Sequence, residues 1–325
     1  MKKVFIFGVI ALAYATSCSS QFAIMSGDEN LQALTKVTDG DQPCITPYGG
    51  DNGKDLYFAV MENNKYYNIY KKDNPFSSAM TQKTSGKNFN YSPAYCKAID
   101  KIVFRCQNEG NITSDIFTMP NTKGKTLTKI TESTNAYENN PSFSSDGKYV
   151  VYDKQTYKTM TNTSALGYVL GLTGLTYTVV EQSEIWMKNL ETGETILLGN
   201  GYQPTFSPDG QSIAYVKYAA DTKSCNIWTM SIDGDNQVQI TDAKKGFAFY
   251  PKWSPDGEYL VFQSTSNDKK DADLYMVRLD GNNLTQLTVN KSHDGTPYWT
   301  QDGYLYFVSD RGDKKGHYQI WRFKM

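Results

Sequence analysis

The sequence predicts an all-β fold: a six-bladed β-propeller of four-stranded antiparallel blades, closed by an N-terminal strand that completes the last blade. Three observations lead there. A string of the form Pro-x-aromatic-Ser-Pro-Asp-Gly recurs along the chain, each time before an apolar, β-branched run. A branched aliphatic residue beside an aromatic follows every copy. The chain then ends at Met325 with its last unit one strand short, while a matching strand stands near the N-terminus. Repeats of this length, each built of short strands, cannot bury both faces alone and stack around an axis.

The elements follow in chain order. Met1-Lys2-Lys3 is a short basic start, Val4 to Ala13 is an apolar run, and Ala15-Thr16-Ser17 are small residues. That order is a secretory signal, and its apolar run is too short to span a bilayer as a helix. Residues 1–17 are expected to be removed. Cys18, directly after the small residues, resembles the lipobox of bacterial lipoproteins, with Ala15 where Leu is usual. The resemblance implies cleavage before Cys18 and lipidation of its thiol. The bland alternative is an ordinary signal with a coincidental cysteine. Residues 18–30 are polar and poor in aromatics, which suits a tether between lipid and fold. Residues 31–325 form the propeller.

Two degenerate copies of the repeat come first: Pro43-Cys-Ile45 leading to Leu56-Tyr-Phe58, and Pro93-Ala-Tyr95 leading to Ile102-Val-Phe104. Looser copies are Pro141-Ser-Phe143-Ser-Ser-Asp146-Gly147 and Pro297-Tyr-Trp299-Thr-Gln-Asp302-Gly303. The full copies are Pro204-Thr-Phe206-Ser-Pro-Asp209-Gly210 and Pro251-Lys-Trp253-Ser-Pro-Asp256-Gly257. The leading prolines are spaced by 50, 48, 63, 47 and 46 residues. In each unit the first strand carries the Pro and the aromatic. An Asp-Gly turn follows, because Gly supplies the positive φ of a tight turn. The apolar run is the second strand. The third carries Ile69-Tyr70, Ile116-Phe117, Ile185-Trp186, Ile227-Trp228, Leu274-Tyr275 or Ile320-Trp321. The fourth is Thr-rich, as in Leu127–Thr131, Val238–Thr241 and Leu284–Thr288. The sixth unit lacks this strand, and Leu31-Gln-Ala-Leu-Thr-Lys-Val-Thr38 copies its pattern. Pairing it there removes two open edges.

Composition narrows the function. The formal net charge is −1, against a broad basic field for nucleic acid. Only His293 and His317 are present, so a multi-histidine metal centre cannot be built and no metal or other cofactor is expected. Past the signal, Cys44, Cys96, Cys106 and Cys225 match no metal spacing, and buried free thiols are expected.

Together these residues resemble the TolB-like propellers of bacterial envelopes, whose repeat recurs in the propeller domains of dipeptidyl-peptidase-like and tricorn-like proteins. The resemblance covers nearly all of the mature chain and implies the fold and an envelope location. It carries over no specific partner. The α/β-hydrolase domain of some relatives and the separate N-terminal domain of TolB have no counterpart here, and no Gly-x-Ser-x-Gly elbow occurs.

Binding is expected on the propeller face that gathers the longer loops. The residues just before each leading Pro should ring the channel mouth: Gln42, Tyr91, Asn140, Tyr202, Gln203, Phe249, Tyr250, His293, Asp294 and Thr296. This mixed aromatic and polar set suits a peptide or small polar ligand. The alternative is a solvated loop rim. The Trp residues all fall on repeat positions and are expected to pack between blades rather than stack sugars. The third unit carries an insertion over 157–182. Its stretch 164–180 is apolar, Gly-punctuated and uncharged, with Tyr168, Leu170, Leu172, Leu175 and Tyr177 as contact candidates. Glycine disfavours a helix, so a projecting hairpin is expected. An exposed apolar projection marks a contact surface. It could meet a partner, meet a second copy, fold back as a plug, or touch membrane.

His293-Asp294 could serve acid/base work, but no motif places a nucleophile beside it. The expectation is an exported, lipid-anchored protein of the periplasm or outer membrane that binds an envelope protein or peptide and does not catalyse. Surface glycan capture is the second reading, and a propeller-type polysaccharide lyase or hydrolase the third.

Overall fold

The computed structural model describes residues 23–24, 31–50, 54–122, 126–161, 176–219, 224–242, 246–265 and 271–325. Cys18, Tyr168, Leu170, Leu172 and Leu175 lie outside the described residues. Among the described residues the regular elements are strands, with no helix.

Antiparallel pairing groups the strands in fours. The first group is Cys44–Gly49, Leu56–Glu62, Tyr66–Lys72 and Thr81–Gln82. The second is Asn88–Cys96, Lys101–Asn108, Asp115–Pro120 and Thr128–Lys129. The third is Ala136–Phe143, Tyr149–Thr161, Thr176–Asn189 and Thr195–Asn200. The fourth is Tyr202–Phe206, Ser212–Tyr218, Ser224–Ser231 and Val238–Gln239. The fifth is Gly246–Trp253, Tyr259–Ser264, Asp273–Arg278 and Thr285–Gln286. The last is Asp294–Trp299, Tyr304–Ser309 and Gln319–Lys324, with Thr35–Lys36 as its outer strand. Thr35 faces Arg322, and Lys36 faces Trp321. Short parallel contacts tie the first group to the second at Tyr67–Phe89, and the fourth to the fifth at Ser224–Gly246.

The core explains why the groups stay together. Each apolar cluster draws on two neighbouring groups. Val151, Ile185, Phe206, Ile213 and Tyr215 join the third to the fourth. Tyr57, Ile69, Ile102 and Phe104 join the first to the second. Val37, Leu56, Phe58, Tyr306 and Ile320 join the last to the first. Burying one such side chain is worth about 1.5–3 kcal/mol, so each shared cluster contributes many times that. At the last-to-first seam the Tyr48 and Tyr298 rings lie 4.3 Å apart, and a Cβ on Gly49 would collide with the Thr300 methyl.

Two side-chain devices recur. At the tight turns Ser207 Oγ donates to Asp209 Oδ1 at 2.5 Å and accepts from Ser212 N, while Gln211 N donates to the same carboxylate. The turn closes with Gly210 at φ +71°. Ser144/Asp146 and Ser254/Asp256 repeat the arrangement. These bonds hold the Asp209 and Asp256 carboxyls below the usual carboxylate range. At the outer strands, a threonine hydroxyl accepts from the backbone amide of the third strand. The pairs are Thr84 with Ile69, Thr131 with Ile116, Thr241 with Ile227 and Thr288 with Leu274. Thr38, at the N-terminal end, takes the Ile320 amide at 2.8 Å in the same way. This is the physical content of the Thr-rich repeat: an otherwise orphaned buried donor finds an acceptor.

The four cysteines are buried free thiols, with burial pushing Cys44 and Cys106 up to about 11 and Cys225 up to about 12. Such thiols are unreactive. In the third group the second and third strands run on as a hairpin until Thr161 faces Thr176. Tyr177 lies on that arm.

Candidate functional site

The inner strand of every group carries a bulge at an X-Pro pair, and the residue before the proline takes a positive φ. These residues are Thr46 (+52°), Ser92 (+51°), Asn140 (+49°), Gln203 (+53°), Tyr250 (+54°) and Thr296 (+44°). The left-handed region costs a side-chain-bearing residue about 1–2 kcal/mol, so each position is held there by its surroundings. The six pairs line one narrow cavity together with Tyr48 and Lys252.

Polar bonds run from one pair to the next. Ser92 N donates to Thr46 Oγ1 and Ser92 Oγ to Asn140 Oδ1, both at 3.4 Å. Asn140 Nδ2 and Gln203 N both donate to Asp153 Oδ1. Tyr250 N donates to Gln203 Oε1 at 2.7 Å. Thr296 N donates to Gln263 Oε1, and Gly295 leaves the room for that amide oxygen. Asp153 has no solvent exposure, and burial raises its carboxyl against these hydrogen bonds.

Beside this belt the strand ends carry aromatic rings. Tyr67 lies 4.8 Å from Tyr91, and Tyr137 lies 4.8 Å from Tyr157. Tyr202, Tyr218, Phe247, Phe249 and Tyr250 form a continuous chain of ring contacts across the fourth and fifth groups. Arg105 stands opposite Tyr91 in register, 5.1 Å over its ring and 5.8 Å over that of Tyr137. Its Nη2 donates to Gln107, its Nε is buried without an acceptor, and among the described residues it makes no ion pair. Burial pulls the guanidinium below its usual value, though an arginine stays protonated. Burial raises the Tyr250 phenol. The Asp153 charge adds to that rise and the Arg105 charge opposes it, so groups from three sheets converge here.

The sequence-derived ring candidates divide accordingly. Asn140, Gln203, Tyr250 and Thr296 line the axial cavity. Tyr91, Tyr202 and Phe249 sit one step outward in the aromatic set. Gln42 lies off the cavity. The axial proline of the first group is Pro47 rather than Pro43, and Thr46 holds the place expected of Gln42. The 50-residue first interval, against 46 to 48 for the regular ones, was the signal; counting back from Pro93 by 46 reaches Pro47. Asp294 is buried and pairs with Arg311 at 2.6 Å. The His293 ring rests edge-on against Tyr318, and burial lowers its pKa. Asp294 is bonded by Arg311, Asn290 and Ser309, and the His293 amide donates to Asp310, so the pair braces a loop. Arg105, Tyr137, Tyr157, Tyr218, Phe247 and Lys252 escaped the sequence reading. Lys252 had a signal: it is the charged residue among the x positions of Pro-x-aromatic, where Ser142, Thr205 and Tyr298 stand elsewhere.

Of the tryptophans, Trp253 is buried and its Nε1 donates to Thr205 O across two groups. Trp186, Trp228 and Trp321 lie under Lys154, Lys217 and Arg311.

The family described as TolB beta propeller domain matches residues 187–325. A structure of a TolB-like protein of Agrobacterium tumefaciens superposes with TM-score 0.59 at 17% identity, covering 89% of this chain and 92% of that one. The fold is a β-propeller. Oligogalacturonate lyase of Vibrio parahaemolyticus superposes on the propeller with TM-score 0.57 at 15% identity, covering 94% of this chain and 96% of that one. A puromycin-hydrolysing peptidase of Mycobacterium tuberculosis reaches 0.55 at 13% identity, over 86% of this chain and 46% of its own. No curated protein matches the sequence. A shared propeller at this level of identity shows the fold alone, and the chain's own residues must carry any reading of function. Among the described residues no group of three or more His, Cys, Asp or Glu is placed to hold a metal ion.

Proposed function

We propose that this propeller has six blades, closed by the strand at Thr35–Lys36, and binds a protein or peptide segment of the bacterial cell envelope without catalysing a reaction. One observation carries the reading. Arg105 presents a charge with no carboxylate partner among the described residues, bracketed by Tyr91 and Tyr137, in a face rich in half-buried rings. Arginine and tyrosine in such surroundings are the residue types that anchor protein segments. The nearby carboxylate, Asp153, is occupied by hydrogen bonds within the belt. The export signal and the lipobox-like Cys18 support an envelope location, and residues 18–30 would act as a tether. The hairpin arm that carries the pairing out to Thr161 and Thr176 supports a second contact outside the ring.

Site-specific photo-cross-linking in intact cells tests this. A probe at Tyr218, 36% exposed at the aromatic face, should give discrete protein adducts that Arg105→Gln diminishes at least fivefold. A probe at Gln211, on the Asp-Gly turn face, should give none. Equal adducts from both faces, or adducts indifferent to Arg105, would overturn the reading. In the same cells Cys18→Ala should leave the membrane fraction, and retention there would remove the tether.

A further inference from the structure

The axial cavity is lined by one lysine, Lys252. It has a volume of about 40 Å3, is lined by residues from every group, and contains no acidic side chain. Lys252 lines it and, among the described residues, makes no hydrogen bond or ion pair. Thr296 lines it too, and its Oγ1 is buried without a partner. The side chains of Thr46, Ser92, Asn140 and Gln203 are engaged through the belt, and the Tyr48 hydroxyl donates to Tyr95 O. A half-buried ammonium without a counter-charge among the described residues is costly, and an unpaired buried hydroxyl adds to the cost. Enclosure draws the Lys252 amine down to about 8, which still leaves it mostly charged at neutral pH.

We propose that the axis of this propeller is a binding site for a small monovalent anion of halide size, held by the Lys252 ammonium and the Thr296 hydroxyl. Size selects the class. A single water needs about 10–15 Å3 of such space, so the cavity takes about three water-sized particles, which suits a small ion with a water or two beside it. The charge selects an anion over a second water. The belt supports the choice, because Gln203 and Gln263 already accept from the Tyr250 and Thr296 amides and so point no carbonyl charge at an anion. The site borders the aromatic face at Tyr250, but neither Lys252 nor Thr296 belongs to that face, and the site would persist if the face bound nothing.

Bromide-soaked crystals of the full chain test the proposal directly. An anomalous peak should lie within hydrogen-bonding reach of Lys252 Nζ. In solution, replacing gluconate by chloride at constant ionic strength should raise Tm by about 5 °C near hundredfold saturation. That difference should vanish in Lys252→Met and shrink in Thr296→Val. A cavity holding only water, or a chloride effect retained in Lys252→Met, overturns the proposal. Should Lys252→Met fail to fold, Lys252→Gln and the wild-type anomalous map decide it. An acetate arm separates sources: stabilisation by acetate equal to that by chloride would mean a carboxylate site and would overturn the halide assignment.

Discussion

The two ends of the inner strands obey different rules. At the turn end the same side chains make the same bonds: Ser144, Ser207 and Ser254 each clasp an Asp two residues on and a backbone amide five residues on. At the axial end the backbone repeats with equal fidelity, each pre-proline residue at φ between +44° and +54°, yet the side chains are Thr, Ser, Asn, Gln, Tyr and Thr. The turn end shows a repeat conserving its chemistry. The axial end shows a repeat conserving only a shape, which leaves the side chains free to become a site.

Substitutions can break or sharpen that contrast. The largest effect should come at the loop end of the last sheet, where Asp294 and Arg311 form a pair found in that sheet alone among the described ones. Asp294→Ala leaves the Arg311 charge buried and should cost about 3–5 kcal/mol in urea unfolding. A cost near that of an ordinary surface change would mean that loop-end side chains are interchangeable after all.

The next effect is pH-dependent and belongs to the axis. Lys252 is drawn from 10.5 to about 8 in the folded chain. Below about pH 8 both folded and unfolded chains hold the proton. Between about 8 and 10 the folded chain releases it first, the unfolded chain binds more protons, and stability rises with pH. In halide-free buffer, wild type should therefore gain up to about 3 kcal/mol over that window relative to Lys252→Met. Parallel pH profiles would show that Lys252 is solvated like a surface lysine.

The smallest effect should be the most uniform. Ser144→Ala, Ser207→Ala and Ser254→Ala should each cost about 1 kcal/mol in Tm or urea measurements, within a few tenths of one another. Unequal costs would show that the turns share a sequence without sharing an energetic role.

The same contrast explains what could be read from the sequence. Turn and outer-strand chemistry is written in fixed residue types, so Ser-Pro-Asp-Gly and the Thr-rich strands revealed the sheets, and Leu31–Thr38 revealed its pairing with Gln319–Lys324. The axial end is defined by a backbone bulge that five different side chains occupy. In the first unit no Asp-Gly string marks it, and the sequence pattern points to Pro43 where the structure uses Pro47. Arg105 was hidden for another reason. It follows the apolar run Ile102-Val-Phe104 and reads as an ordinary strand end; only the register that sets it against Tyr91 and beside Tyr137 gives it meaning.

The hydroxyl of Thr38 and the amide of Ile320, 282 positions apart, meet in one sheet. The strand at Thr35–Lys36 is therefore made long before the strand it pairs with, and it stands as an unpaired edge until Gln319–Lys324 has been synthesised. A chain cut anywhere between the two keeps that edge raw, and raw strand edges are what aggregation and quality control act on.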